Sequence, residues 1–497
     1  MAEVFVGVDV GTGSTKAVAA TAAGDVVATA TRSHRVSMPW PGRAEVDPVA
    51  VEDEVAQVCR ELAGALGAHT VVGLCVSGMG PCLVVTGDDG VPLRPAVLYG
   101  IDGRATDQIV ALTARLGAAE IRRRCGKDLT TQAVGPKLAW VRQEEPEVWS
   151  RTTRWWGLSS WLVGRLTGEY VLDHQTASQC DPLYDVTAFD WAHDWVEEVT
   201  PGTTPPRLVW PQDVVGRLGA EAAARTGLPA GTPVSAGTVD AWAEAFSAGV
   251  RDERDLMLMY GSTMFLVQPV TRPVAHPDLW LTAGVVPGTR TLAGGTATSG
   301  SLVQWVRDLT GADLPDLEAE AAAVPAGAEG LLLLPYFAGE RTPVQDPRAS
   351  GVAVGLTLRH GRGHLMRAAC EGIALGIRQV LELVDLGDGP AAPRSRVVAV
   401  GGGTRSRLLT QVVSDVSGRP QVVPEQAIGA SYGSALLSAI GTGAVPPDTD
   451  WARDGVLVEP DERRREVYDA LYRTFTALYG DTVEHMHDLA EVARAQA

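Results

Sequence analysis

The chain has 497 residues, which at about 150 residues per domain suggests two to four domains and a core that needs no disulfide or metal staples. Hydrophobic residues make up 45% and charged residues 21%, a globular composition that excludes a disordered chain. The 42 basic and 60 acidic residues leave a formal charge of −18, which repels nucleic acid and anionic membrane and excludes a polynucleotide binder.

The six cysteines form no CxxC pair and have no histidine cluster nearby, so neither a zinc site nor a disulfide framework is expected, and a reducing, cytoplasmic setting fits. No stretch is long and apolar enough for a membrane span. Only Lys16, Lys127 and Lys137 are lysines, against 39 arginines. A lysine retained in so arginine-rich a chain marks a position to watch.

In chain order, Val4 to Val10 reads as a strand, Gly11 to Ser14 as a turn, Lys16 to Thr21 as a return strand and Val26 to Thr31 as a third, an antiparallel meander. Pro48 to Leu66 is an amphipathic helix with Val51, Val55, Val58, Leu62 and Leu66 on one face. Val71 to Val76 is a buried strand, and Thr200 to Pro211, with four prolines, is a rigid loop. A second strand–turn–strand opening, Asp255 to Tyr260, Gly261-Ser262-Thr263 and Met264 to Val267, repeats the first. The two openings suggest two similar α/β domains, divided near Phe246 to Arg254 into residues 1–247 and 248–497. A helix is expected from Arg405, and a last one from about Asp461 to Arg494.

The strongest chemical signal is Gly7-Val8-Asp9-Val10-Gly11-Thr12-Gly13-Ser14-Thr15-Lys16. A carboxylate at a strand end can hold hydrated Mg²⁺, and the small turn of Thr12, Gly13 and Ser14 can wrap phosphate oxygens with Lys16 as a nearby point charge. An ordinary glycine hairpin is the alternative. It is not a Walker A loop, and Lys16 stands where a dinucleotide fingerprint needs its third glycine. Gly261-Ser262-Thr263 is a candidate second phosphate clamp. Val397 to Val400 runs into Gly401-Gly402-Gly403, where a flat ring or ribose can approach backbone. Asp240 is either a general base that takes a hydroxyl proton or a helix N-cap. Gly429-Ala-Ser-Tyr-Gly433 imitates a hydrolase elbow, but a poor strand precedes it, and it reads better as a tightly packed helix. Trp155, Trp156 and Trp161 read as core.

Together these motifs resemble the FGGY family of carbohydrate kinases over about residues 4 to 446. Ala44-Glu45-Val46-Asp47-Pro48 resembles an acidic family segment, and Leu334 to Pro343 resembles the Pro-Tyr-x-x-Gly-Glu-Arg-x-Pro block. The resemblance implies two RNase H-like domains of the actin/hexokinase ATPase type around a central cleft, with sugar held by the first and ATP by the second. It implies Asp240 as catalytic base with Lys16 assisting, and ATP held by Thr12, Gly13, Ser14, Gly261, Ser262, Thr263, Gly300, Gln304, Gly402, Gly403 and Arg407. It further implies Mg²⁺ at Asp9, sugar against Met79, Gly80, Tyr99 and Asp240, and a homodimer as in many similar kinases. The xylulose kinase branch is the most similar, through Val76 to Gly80 and Arg94 to Leu98. The sugar pocket departs from that branch. Gly80 stands in place of a histidine, Tyr99-Gly100-Ile101-Asp102-Gly103-Arg104 carries an extra residue and no tryptophan, and Ala241 replaces a polar residue. A ketopentose such as xylulose is therefore the leading acceptor, with ribulose, erythrulose or glycerol, or a non-catalytic nucleotide-binding regulator, as alternatives.

Overall fold

The computed structural model describes residues 2–274, 276–388, 395–425, 428–453 and 455–496. Alternating apolar residues build the opening strand, Glu3–Val10, which pairs antiparallel with Ser14–Thr21. That strand in turn pairs with Val26–Ser33. Thr70–Gly78 adds in parallel on the other side of the opening strand. Pro233–Ser235 and Val214–Arg217 complete a six-stranded sheet.

The second half repeats this plan. Asp255–Tyr260 pairs antiparallel with Met264–Val270, which pairs antiparallel with Arg290–Thr296. Arg396–Val400 then adds in parallel beside Asp255–Tyr260. The larger sheet has seven strands, and a smaller five-stranded sheet carries short strands of the first half.

Strand alternation sorts the core into layers. Val4, Val6, Val8 and Val10 face one cluster with Val51, Val55, Val58 and Leu62 of the helix Pro48–Ala65. Phe5 faces the other way, into a cluster that also takes Met257, Val398 and Val400 from the second sheet. Between the two sheets lie Trp242 and Phe246 of the helix Asp240–Ser247, and Tyr432, Ala435 and Leu436 of the helix Ala430–Gly441. Gly429 to Gly433 thus opens a close-packed helix. Trp155, Trp156 and Trp161 are buried in the core.

Two elements differ from the sequence expectation. Thr200 to Pro211 is not all loop: Arg207–Val209 forms a strand parallel to Val171–Asp173. After Gly401 the chain makes a 3₁₀ turn, Gly402–Arg405, and the α-helix begins at Arg407 because Ser406 Oγ caps the Leu409 N–H at 3.2 Å. The last helix, Arg465–Gln496, buries Tyr468, Phe475 and Met486 in the core of the second half.

Candidate active site

The first turn is shaped by its flanking strands. Asp9 pairs across the hairpin with Lys16, which puts both side chains on the same side of the sheet. The Gly11 N–H donates to the Ser14 carbonyl at 3.0 Å, which closes the turn. Thr12 and Gly13 are exposed, and a β-carbon on Gly13 would meet nothing within 4 Å, so the turn opens on free space. Asp9 is 9% exposed, and its Oδ1 has no hydrogen-bond partner among the described residues. Burial holds its carboxyl well above the usual carboxylate range. The charge of Asp240 adds to this, while Lys16 opposes it.

Asp240 reaches the same region from the far side of the strand Thr70–Gly78. After the strand Pro233–Ser235 the chain turns at Gly237, with φ of +71° and a would-be β-carbon 1.9 Å from the Val76 carbonyl oxygen. Only glycine fits there. The Thr238 hydroxyl donates to Asp173 at 2.8 Å and anchors the turn. Asp240 then opens a helix, and its Oδ1 accepts from the Ala241 N–H at 2.7 Å. Burial pushes its carboxyl up to about 7, against that hydrogen bond, and Glu244 one turn later adds to the rise. Burial also raises Glu244, while Lys16 lowers it. Lys16 therefore opposes the raised carboxyls of Asp9 and Glu244. Glu244 was missed in the sequence, although its i+4 spacing from Asp240 is a readable signal.

Asp240 lines a cavity of about 160 Å³ that both halves build. Gly80, Tyr99 and Gln132 come from the first half, and Thr263, Trp280 and Arg341 from the second. The Thr12 side chain lies near the Tyr99 hydroxyl, which brings the first turn beside this cavity. Met79 is buried in the core and does not line it. The pocket's departures have steric causes. A β-carbon on Gly80 would stand 2.7 Å from Val239 Cγ2, so no imidazole fits there unless Val239 moves. In the segment that carries the extra residue, a β-carbon on Gly100 would stand 2.9 Å from the Gln132 carboxamide. The Gly100 N–H donates to Gln132 Oε1 at 3.0 Å, which leaves the NH₂ for the cavity. No motif pointed to Gln132 or Gln179. Arg341, in the Leu334 to Pro343 segment, also lines the cavity, and its Nη2 donates to the Thr296 carbonyl at 2.8 Å.

The second turn is stitched to its neighbours. The Gly261 N–H donates to the Thr263 carbonyl, and the Gly300 N–H to the Gly261 carbonyl, each at 3.0 Å. Ser299 and Ser301 both donate to the Ser262 carbonyl. Gly401, with φ of +91°, packs on the backbone of Tyr260, so the third glycine turn abuts the second. Gly402 is exposed, and Gly403 packs against Tyr260. Gln304 lies on the exposed face of the helix Gly300–Thr310 and donates to Asp308 at 2.9 Å. Arg407 is exposed at the start of its helix.

Comparison with known proteins agrees with this geometry. The model of the N-terminal domain of the FGGY family of carbohydrate kinases matches residues 4–247, and that of its C-terminal domain matches residues 256–442. The solved xylulose kinase of Rhodospirillum rubrum is 36% identical, with a TM-score of 0.89 over 97% of this chain and 100% of that one. The xylulose kinase of Escherichia coli (strain K12) is 29% identical over 493 residues, covering 96% of this chain and 98% of that protein. The gluconokinase of Bacillus subtilis (strain 168) is 26% identical over 462 residues, covering 90% and 89%. Two halves on one plan, a buried carboxylate between glycine turns and these matches along nearly the whole length lead to one conclusion: the chain belongs to the FGGY family of carbohydrate kinases.

Proposed function

We propose that this protein transfers the γ-phosphoryl group of ATP to a hydroxyl of a ketopentose, with xylulose the leading acceptor. The observation that carries the reading is the shared cavity: Asp240, its carboxyl raised to about 7, lines the same space as Tyr99 and Thr263. In this reading residues 1–247 hold the sugar and residues 248–497 the nucleotide. The separate family matches to the two halves support that division.

Asp240 takes the proton of the attacking hydroxyl, and a carboxyl poised near neutrality suits that task. Thr12, Gly13, Ser14 and Lys16 orient the γ-phosphate from one side, and Gly261, Ser262 and Thr263 from the other. Gly300, Gln304, Gly402, Gly403 and Arg407 lie toward the rest of the nucleotide. Catalysis here is positioning plus electrostatics. Mg²⁺ would be held at Asp9. The unpartnered buried oxygen on Asp9 suits an ion that keeps most of its water. Bound there, it would neutralise charge on the phosphates.

The names of the relatives support xylulose. A coupled ADP-release assay over xylulose, ribulose, erythrulose, gluconate and glycerol tests the assignment, with the highest kcat/KM expected for xylulose. A cytoplasmic setting fits the six free, buried thiols. Among the described residues no helix is long and apolar enough to cross a membrane. A homodimer is the expected assembly, which light scattering tests.

A further inference from the structure

Behind the first turn lies a second layer of polar contacts. His34 follows the strand Val26–Ser33, and its backbone N–H donates to the Gly13 carbonyl at 3.0 Å. Its ring reaches the same turn: Nε2 lies 2.8 Å from the Gly11 carbonyl oxygen. On the other side, Nδ1 lies 2.7 Å from Glu54 Oε2, on the helix Pro48–Ala65. Glu54 Oε2 also accepts from the Thr15 hydroxyl at 2.9 Å. The His34 side chain is only 9% exposed.

The chemistry fixes the direction of these bonds. A carbonyl oxygen can only accept, so Nε2 carries a hydrogen. Nδ1, on the far side of the ring, is in contact with Glu54 Oε2 at 2.7 Å, so the helix holds the ring in place against the turn. In a planar trans peptide the carbonyl and the following N–H point in opposite directions. Holding the Gly11 carbonyl back against His34 therefore aims the Thr12 N–H forward, out of the turn.

We propose that His34 and Glu54 are positioning residues, which hold the Gly11 carbonyl so that the Thr12 N–H is set to meet the transferred phosphoryl group. The proposal rests on the reading that the first turn meets the γ-phosphate. Donors aimed in advance act on the moving charge without reorganising when it develops.

The test uses the full-length protein with Mg²⁺ and titration calorimetry, with a non-hydrolysable ATP analogue and ADP as probes, alongside steady-state kinetics. His34→Ala should weaken analogue affinity or lower kcat about tenfold, while ADP affinity and the sugar KM stay within about twofold. His34→Gln, whose carboxamide can still donate to the Gly11 carbonyl, should recover most of the loss. Glu54→Gln should show a smaller loss in the same direction. An unchanged His34→Ala enzyme overturns the proposal, as does an equal loss for analogue, ADP and sugar, which marks general loosening. Lys16→Ala, run in parallel, separates the two readings. A loss there with none in His34→Ala overturns only the positioning role, and no loss in either overturns the phosphate-turn reading as well.

Discussion

The carbonyl oxygen of Ser431 faces the α-carbon of Gly7 so closely that a β-carbon built there would stand 1.9 Å away. On another side of the same helix, a β-carbon on Gly433 would stand 2.0 Å from the Ala243 carbonyl oxygen. The obstacles are backbone atoms, which cannot swing aside. Gly7→Ala and Gly433→Ala should each destabilise by about 1–3 kcal/mol and lower the melting temperature by several degrees. Gly13→Ala, with open space around it, should melt with the parent. Calorimetric melting of the three variants checks this, and a parent-like Gly7→Ala would mean the helix does not sit so close.

Asp240→Asn should lower kcat by about 10²–10⁴-fold while leaving Mg-ATP affinity nearly intact. In the parent, activity should rise with pH through about 7 as Asp240 loses its proton. The stability effect runs the other way. The folded-state pKa is raised, so folding favours the protonated acid, and its contribution is lost as pH rises from the usual carboxylate range through about 7. Asn cannot ionise. The variant should therefore melt above the parent at pH 8 and close to it at pH 4. The same gap at both pH values would remove the raised carboxyl.

Lys16→Ala removes a cation that opposes the raised carboxyls of Asp9 and Glu244. Charge develops on the phosphoryl group as it moves, so kcat should fall about 10²-fold with the sugar KM within about twofold. A rise in the ATP KM alone, at unchanged kcat, would reduce Lys16 to a binding residue.

Gln132→Leu deletes the NH₂ that the Gly100 hydrogen bond leaves for the cavity, at similar volume. Loss of one such donor to a substrate oxygen costs about 0.5–1.5 kcal/mol, so kcat/KM for the sugar should fall about two- to tenfold. The KM for ATP should not move. Steady-state kinetics with each substrate varied in turn distinguish the two, and an unchanged sugar kcat/KM would place Gln132 outside recognition.

How much was legible in the residues follows from how local each feature is. The opening meander, the helix from Pro48 and the strand from Asp255 announce themselves by alternation, turn glycines and caps within a few residues. The retained lysines pointed to special positions, and the structure gives Lys127 and Lys137 interior ones. Lys127 Nζ donates to the Ser178 carbonyl at 2.8 Å, and Lys137 Nζ to the Thr131 carbonyl at 2.7 Å. The strand Arg207–Val209 was hidden because three residues beside prolines owe their pairing to Val171–Asp173, not to their own pattern. Gln132 was hidden for a similar reason: its place in the pocket depends on Gly100, which only the fold brings beside it. His34 and Glu54 gave no signal, since neither belongs to a run that carries chemistry.

The seating of Ala430–Gly441 against the opening strand has a consequence for how the protein is made. Phe5, Val18 and Cys75 share their core with Tyr432, Ala435 and Leu436. During translation the first sheet emerges early, but the helix that covers one of its faces emerges near the end. At about 5–20 residues per second, the wait is on the order of ten seconds or more. Through that interval the nascent chain exposes an apolar face that its own unfinished length cannot cover, which makes it a natural client for a holding chaperone at the ribosome exit. A message truncated ahead of Ala430 never supplies the cover, and its product should be aggregation-prone even though its first 247 residues are intact.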